Sequence, residues 1–213
     1  LIGKLGKEQK WRQAVRVLQD LATNAILPHV ITYSAAVAAC GRGAQWQRAL
    51  DLLAHGIGFG PRPNTITYNA TINACEKAHQ WEWALWLAAE LPRRKLEPSS
   101  VTCGSSISAC QRGQWHHALA LLQSMQGLTL RLDLTSYTAA ANSCINGTEW
   151  PIALDLLVMA EEQYLLSDVA SCSTAINACE KGYHWTLAVH VLNAMSQQTL
   201  GPSTIAHHGV LSA

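Results

Sequence analysis

Six tryptophans, Trp11, Trp46, Trp81, Trp115, Trp150 and Trp185, are spaced by 35, 35, 34, 35 and 35 residues. Each is followed three residues later by Ala and then by Leu or Val: WRQAV, WQRAL, WEWAL, WHHAL, WPIAL and WTLAV. Cysteines keep the same beat at Cys40, Cys75, Cys110, Cys144 and Cys179, six residues before a Trp, or five before Trp115. Self-similarity at this period describes an array of stacked supersecondary units, and it replaces the usual choice between one globular core and two.

The stretch from Val30 to Asn64 shows what one unit is. Tyr33, Ala36, Val37 and Cys40 fall at helical spacing on one face, and Gly41 and Gly43 interrupt that helix. A second apolar stripe follows at Trp46, Ala49, Leu50, Leu52 and Leu53, ended by Gly56, Gly58, Gly60, Pro61 and Pro63. The unit is a helical hairpin, and neither helix is long enough to stand alone in water. The chain is therefore read as all-α, a right-handed α-solenoid of stacked helix-turn-helix repeats. Full repeats occupy 30–64, 65–99, 100–133, 134–168 and 169–203, flanked by partial repeats at 1–29 and 204–213. Repeat 100–133 is one residue short in its inter-helix turn. The Ala after each Trp lets paired helices approach, and the Trp is read as a packing wedge.

With 14% charged residues and a formal net charge of +1, the chain has no global cationic field, so any polyanion site must be local. The seven cysteines show no CxxC or other metal-ligand spacing, and neighbouring helices sit too far apart for disulfides. They read as small buried thiols, and neither a metal nor a cofactor is expected. No apolar run reaches membrane-spanning length. With no signal-type leader, the chain reads as a piece of a longer array. HExxH, Walker, GxSxG and zinc-deaminase patterns are all missing, so no catalytic residue is expected.

A 35-residue hairpin reading ITYS…AC.R…W..AL…P.N, then ITYN…ACEK…W..AL…P.S, resembles the pentatricopeptide repeat. The resemblance covers essentially the whole chain, and the regular Trp is similar to Trp-rich algal and protist variants. It implies single-stranded RNA binding in a plastid or mitochondrion, one nucleotide per repeat. The bases are read there by the residue after the Tyr position together with the last residue of the same repeat. On this chain those pairs are Ser34 with Asn64 (adenine), Asn69 with Ser99 (cytosine), Thr138 with Asp168 (guanine), and Ser173 with Ser203 (unassigned). In repeat 100–133 Gly104 has no side chain to read with, although Asp133 remains. The resemblance also implies base-wedging aliphatics at Ile31, Ile66 and Val101, where Thr135 and Ala170 are poor substitutes. Phosphate-facing cations are implied at Arg42, Lys77, Arg112 and Lys181, where Asn146 does not fit.

Each assignment has a plainer alternative. The repeat-end residues Asn64, Ser99, Asp133, Asp168 and Ser203 are good helix N-caps, and capping and recognition are compatible. Cations ending a helix are favoured by its dipole without any ligand. Two functions stay open at this point. One is an RNA-binding repeat protein acting by occupancy in RNA processing, stability or translation. The other is a protein-binding scaffold subunit of a large organellar assembly, such as a ribosome or a photosynthetic or respiratory complex.

Overall fold

A computed structural model describes residues 11–23, 28–58, 62–127, 132–162 and 168–197. Among them are eleven helices and no strand. In chain order they are α1 (Trp11–Thr23), α2 (Val30–Arg42), α3 (Trp46–Gly58), α4 (Thr65–Lys77), α5 (Trp81–Arg93) and α6 (Ser100–Ala109). These are followed by α7 (Trp115–Gly127), α8 (Leu134–Asn146), α9 (Trp150–Glu162), α10 (Val169–Gly182) and α11 (Trp185–Gln197). Two compact units result, Leu1–Ala109 and Cys110–Ala213. The division falls at the turn that is one residue short.

Every Trp of the periodic phrase opens a second helix. The Ala three residues later is fully buried in each case, at Ala14, Ala49, Ala84, Ala118, Ala153 and Ala188. The first-helix stripe is also internal, with Tyr33, Ala36, Val37 and Cys40 all buried. Within each unit a first helix packs on its own second helix, on the preceding second helix and on the next first helix, whereas successive second helices leave their backbones apart. Close approach of α2 to α4 depends on Gly41, where a Cβ would sit 3.2 Å from the Ala70 carbonyl oxygen. Gly41 therefore lies inside α2 and does not end it. The helix continues to Arg42 and is capped by Gly43. Gly56 likewise lies within α3, because a side chain there would strike the Tyr33 ring. The Tyr33 hydroxyl donates to the Leu52 carbonyl at 2.5 Å and joins the two helices of that hairpin.

The turn between helices repeats one geometry. Within this turn one residue is left-handed in each repeat, Ala44, His79, Gly113, Thr148 and Tyr183, with φ of 53°, 56°, 99°, 71° and 55°. The carbonyl of the periodic cysteine then accepts the amide just before the second helix, from Gln45, Gln80, Glu149 and His184 at 2.8–3.0 Å. This is the closing bond of a Schellman turn. In the shortened turn Gln114 reaches Cys110 one residue sooner, at 3.2 Å. The Trp wedge presses on the turn of the following repeat: a Cβ on Gly43 would meet Trp11, one on Gly147 would meet Trp115, and one on Gly182 would meet Trp150.

All seven cysteines are free thiols, and only Cys172 is not fully buried. Burial pushes Cys75 up to about 12 and Cys40, Cys110 and Cys144 to about 11. No metal-binding group of side chains occurs among the described residues, and no described helix is long and apolar enough to cross a membrane.

Candidate nucleic-acid interface

The repeat-end residues cap the first helices. Asn64 accepts the Thr67 amide at 3.0 Å, Asp133 the Ser136 amide at 3.0 Å, and Asp168 the Ser171 amide at 2.7 Å. Ser99 and Thr102 cap reciprocally, the Ser99 amide donating to Thr102 Oγ1 at 3.0 Å. Each cap satisfies an amide that the helix start leaves unpaired. Burial would raise the Asp133 pKa, but hydrogen bonds from the Ser136 and Thr135 side chains and from backbone amides outweigh it and hold it below the usual carboxylate value.

The structure brings two of the paired positions together through the capping residue of the next repeat. Ser34 Oγ lies 2.8 Å from Thr67 Oγ1, which in turn lies 3.0 Å from Asn64 Oδ1. Ser34 Oγ also reaches the Val30 carbonyl at 2.8 Å. Three acceptor-bound contacts thus share two hydroxyl protons, and the cluster is one proton short. An incoming N–H would supply it. Ser34 itself is buried, so the half-buried Asn64 is the accessible end.

In the next repeat the contacts close into a ring. Asn69 Nδ2 donates to Ser99 Oγ at 3.2 Å, Ser99 Oγ lies 3.2 Å from Thr102 Oγ1, and Thr102 Oγ1 donates to Asn69 Oδ1 at 2.6 Å. Every hydroxyl proton has a partner in this arrangement. The Asn69 amide keeps one N–H and one carbonyl lone pair, a donor and an acceptor held side by side.

The other pairs are not joined in this way. Thr138 Oγ1 bonds the Leu134 and Thr135 carbonyls of its own helix, both at 3.0 Å. Ser173 Oγ bonds the Val169 carbonyl at 2.6 Å, and Ser203 lies outside the described residues. Gly104 offers no side chain opposite Asp133.

Ile31, Ile66 and Val101 occupy equivalent positions in α2, α4 and α6, and they are 74%, 67% and 60% exposed. Thr135 and Ala170, which take this position in α8 and α10, are exposed as well. Arg42, Lys77, Arg112 and Lys181 are exposed at or just beyond first-helix ends. Asn146, where the cation is missing, donates instead to the Gln111 carbonyl of the previous repeat at 2.6 Å.

Sequence reasoning missed the linking hydroxyls, Thr67 and Thr102. Their signal was present: a Thr or Ser stands three residues after four of the five repeat-end residues, Asn64, Ser99, Asp133 and Asp168, the spacing of a capping box.

Capped helical hairpins repeated along the chain, with shared turn geometry and shared packing, define a helical-repeat protein. The family model for the PPR repeat matches residues 66–96. The match covers one repeat of the chain, and the fold is the all-α repeat solenoid. It superposes on maize PPR10 with a TM-score of 0.70 and 21% identity, covering 100% of this chain and 30% of PPR10. On PPR10 in complex with an 18-nt psaJ RNA element the TM-score is 0.79 at 22% identity, covering 99% and 32%. The PPR domain of Arabidopsis thaliana protein-only RNase P 1, in complex with tRNA, gives 0.70 at 12% identity, covering 82% and 93%. The chain thus spans about a third of the length of the PPR10 chains it matches. No curated protein sequence matches it at a significant level.

Proposed function

We propose that this chain binds single-stranded RNA at one nucleotide per repeat, without catalysis, and acts by occupying an organellar transcript in a plastid or mitochondrion. The observation that carries the reading is the exposed aliphatic series Ile31, Ile66 and Val101. These large apolar side chains, 60–74% exposed at equivalent positions of successive repeats, offer a periodic apolar surface for a ligand to cover. They lie three residues before Ser34, Asn69 and Gly104, the positions the family uses to read bases. Flat base faces suit such aliphatics, and unstacked bases leave their edges free for short polar side chains.

Base preference follows from the two linked pairs. The proton-short Ser34–Thr67–Asn64 cluster suits an exocyclic amine such as that of adenine. The Asn69 amide, with its adjacent donor and acceptor, suits the edge of cytosine. The Thr138–Asp168 pair is assigned to guanine by resemblance, with its hydroxyl at present turned onto its own helix. The expected core is 5′-A-C-N-G-N-3′.

Filter binding with oligonucleotides carrying this core and its permutations tests the reading. Exchanging the A and C is expected to weaken binding, and Asn69→Ala to flatten the preference at the second nucleotide only. A bidentate base contact is worth about 1–3 kcal/mol of discrimination. Equal affinity for every permutation would overturn base reading, and no binding at all would overturn RNA as the ligand.

A further inference from the structure

Two of the eight tryptophans, Trp83 and Trp86, stand off the periodic beat, and both are in α5. They are 42% and 51% exposed and meet edge to face with ring centroids 5.9 Å apart. Trp83 also lies 6.5 Å from Trp46 of α3, tilted by 39°. The three rings bound a groove of 350 Å³ between the second helices α3 and α5, whose floor and end include Leu50 and Ile57. That volume is at the small end of ligand sites, large enough for a side chain and too small for a folded element.

Charge selects the occupant. Asp51 is the charged residue among those lining the groove, which include no Lys, Arg or His. Asp51 has no ion-pair partner among the described residues. Arg48, one turn earlier in α3, lies 5.9 Å from the Trp11 ring. A second exposed carboxylate, Glu82, stands one turn before Trp86 on the same face of α5. Indole faces attract cations, and a planar guanidinium can stack on them while bonding a carboxylate.

We propose that this groove is a docking site for an arginine side chain presented by an extended peptide segment of a partner protein. It is built by second helices, whereas the candidate RNA-facing residues belong to first helices and repeat ends, so the two sites are separable.

Fluorescence anisotropy of a fluorescein-labelled Gly-Ala-Arg-Ala-Gly peptide on the whole chain tests this, with the uncharged citrulline analogue as control. The arginine peptide should bind at least ten-fold more tightly than the citrulline peptide. Trp86→Ala and Asp51→Asn should each weaken it at least three-fold, with the helical circular-dichroism signal of the folded chain unchanged at the assay temperature. Equal binding of the two peptides, or variants that bind as the parent does, would overturn the proposal. So would loss of binding to a 12-nt RNA in Trp86→Ala, which would assign the groove to RNA. Dissociation of a dimer by Trp86→Ala in light scattering would overturn it too, assigning the groove to a second copy of this chain.

Discussion

At the scale of single residues, the repeat-end positions cap the first helices with a neutral side chain in one repeat and a charged one in another. Asn64 and Asp133 make the same cap at the same 3.0 Å, one neutral and one charged. Removing either cap by substitution to Ala should cost about 1 kcal/mol. Their pH dependence should differ. The folded pKa of Asp133 is depressed, so its contribution is fully present above the unfolded value near 3.9 and is lost as pH falls through the folded one. Urea unfolding at pH 7 and pH 3 should therefore show the Asp133→Ala penalty shrinking in acid, while that of Asn64→Ala stays constant. An Asp133→Ala penalty that is unchanged at pH 3 would mean the charge adds nothing to the cap. In the proposed RNA complex the free valences beside these caps would face the base, and they differ between the Ser34 cluster and the Asn69 ring. The hydroxyls were legible as capping-box residues, but their links to Ser34 and Asn69 were not, because each spans 33 residues of sequence. Residue types gave the caps, while proton bookkeeping needed coordinates.

At the scale of elements, the hairpin was legible almost in full, since helical periodicity and the Trp-Ala-Leu phrase fix which faces pack. The boundaries were read less well at glycine. Gly41 and Gly56 look like helix breakers, yet both are helical, kept small by the Ala70 carbonyl and the Tyr33 ring. Composition marks a glycine but cannot say whether backbone freedom or space is needed. Gly113 needs the freedom, with φ of 99° in the shortened turn. Gly147 needs the space: its φ of −87° suits any residue, but a Cβ would overlap the Trp115 ring. Gly147→Ala should then destabilise by about 1–3 kcal/mol through overpacking. In a Trp115→Leu background the same substitution should cost less than about 0.5 kcal/mol, a coupling that a double-mutant cycle reads directly. Additive penalties would show that the wedge and the turn are independent. Repeat 65–99 places Ala78 at this position, and there the preceding wedge, Trp46, is tilted against Trp83.

At the scale of the whole molecule, neighbour-only packing makes stability a sum over repeats and interfaces, so unfolding need not be all-or-none. The cysteines, one buried in each full repeat with Cys103 and Cys172 besides, are built-in reporters of this. Burial holds Cys40, Cys75, Cys110 and Cys144 near 11–12, so the folded thiols stay protonated at pH 8, whereas an unfolded thiol titrates near 8.5. A raised folded pKa contributes stability that is fully present below the unfolded value and is lost as pH rises towards the folded one. Stability should therefore fall between about pH 8.5 and 11. Thiol labelling at pH 8 in native buffer should modify half-buried Cys172 first, and Cys172→Ser should remove that phase. With rising urea, peptide mapping should find the rest modified in two groups, Cys40, Cys75 and Cys103 apart from Cys110, Cys144 and Cys179, following the two compact units. A single common rate for all six would mean that the units unfold as one. The same grouping bears on ligand binding. The linked pairs Ser34–Asn64 and Asn69–Ser99 and the wedges Ile31, Ile66 and Val101 all lie in the first unit, so an oligonucleotide carrying the A-C core should protect the first group of thiols preferentially.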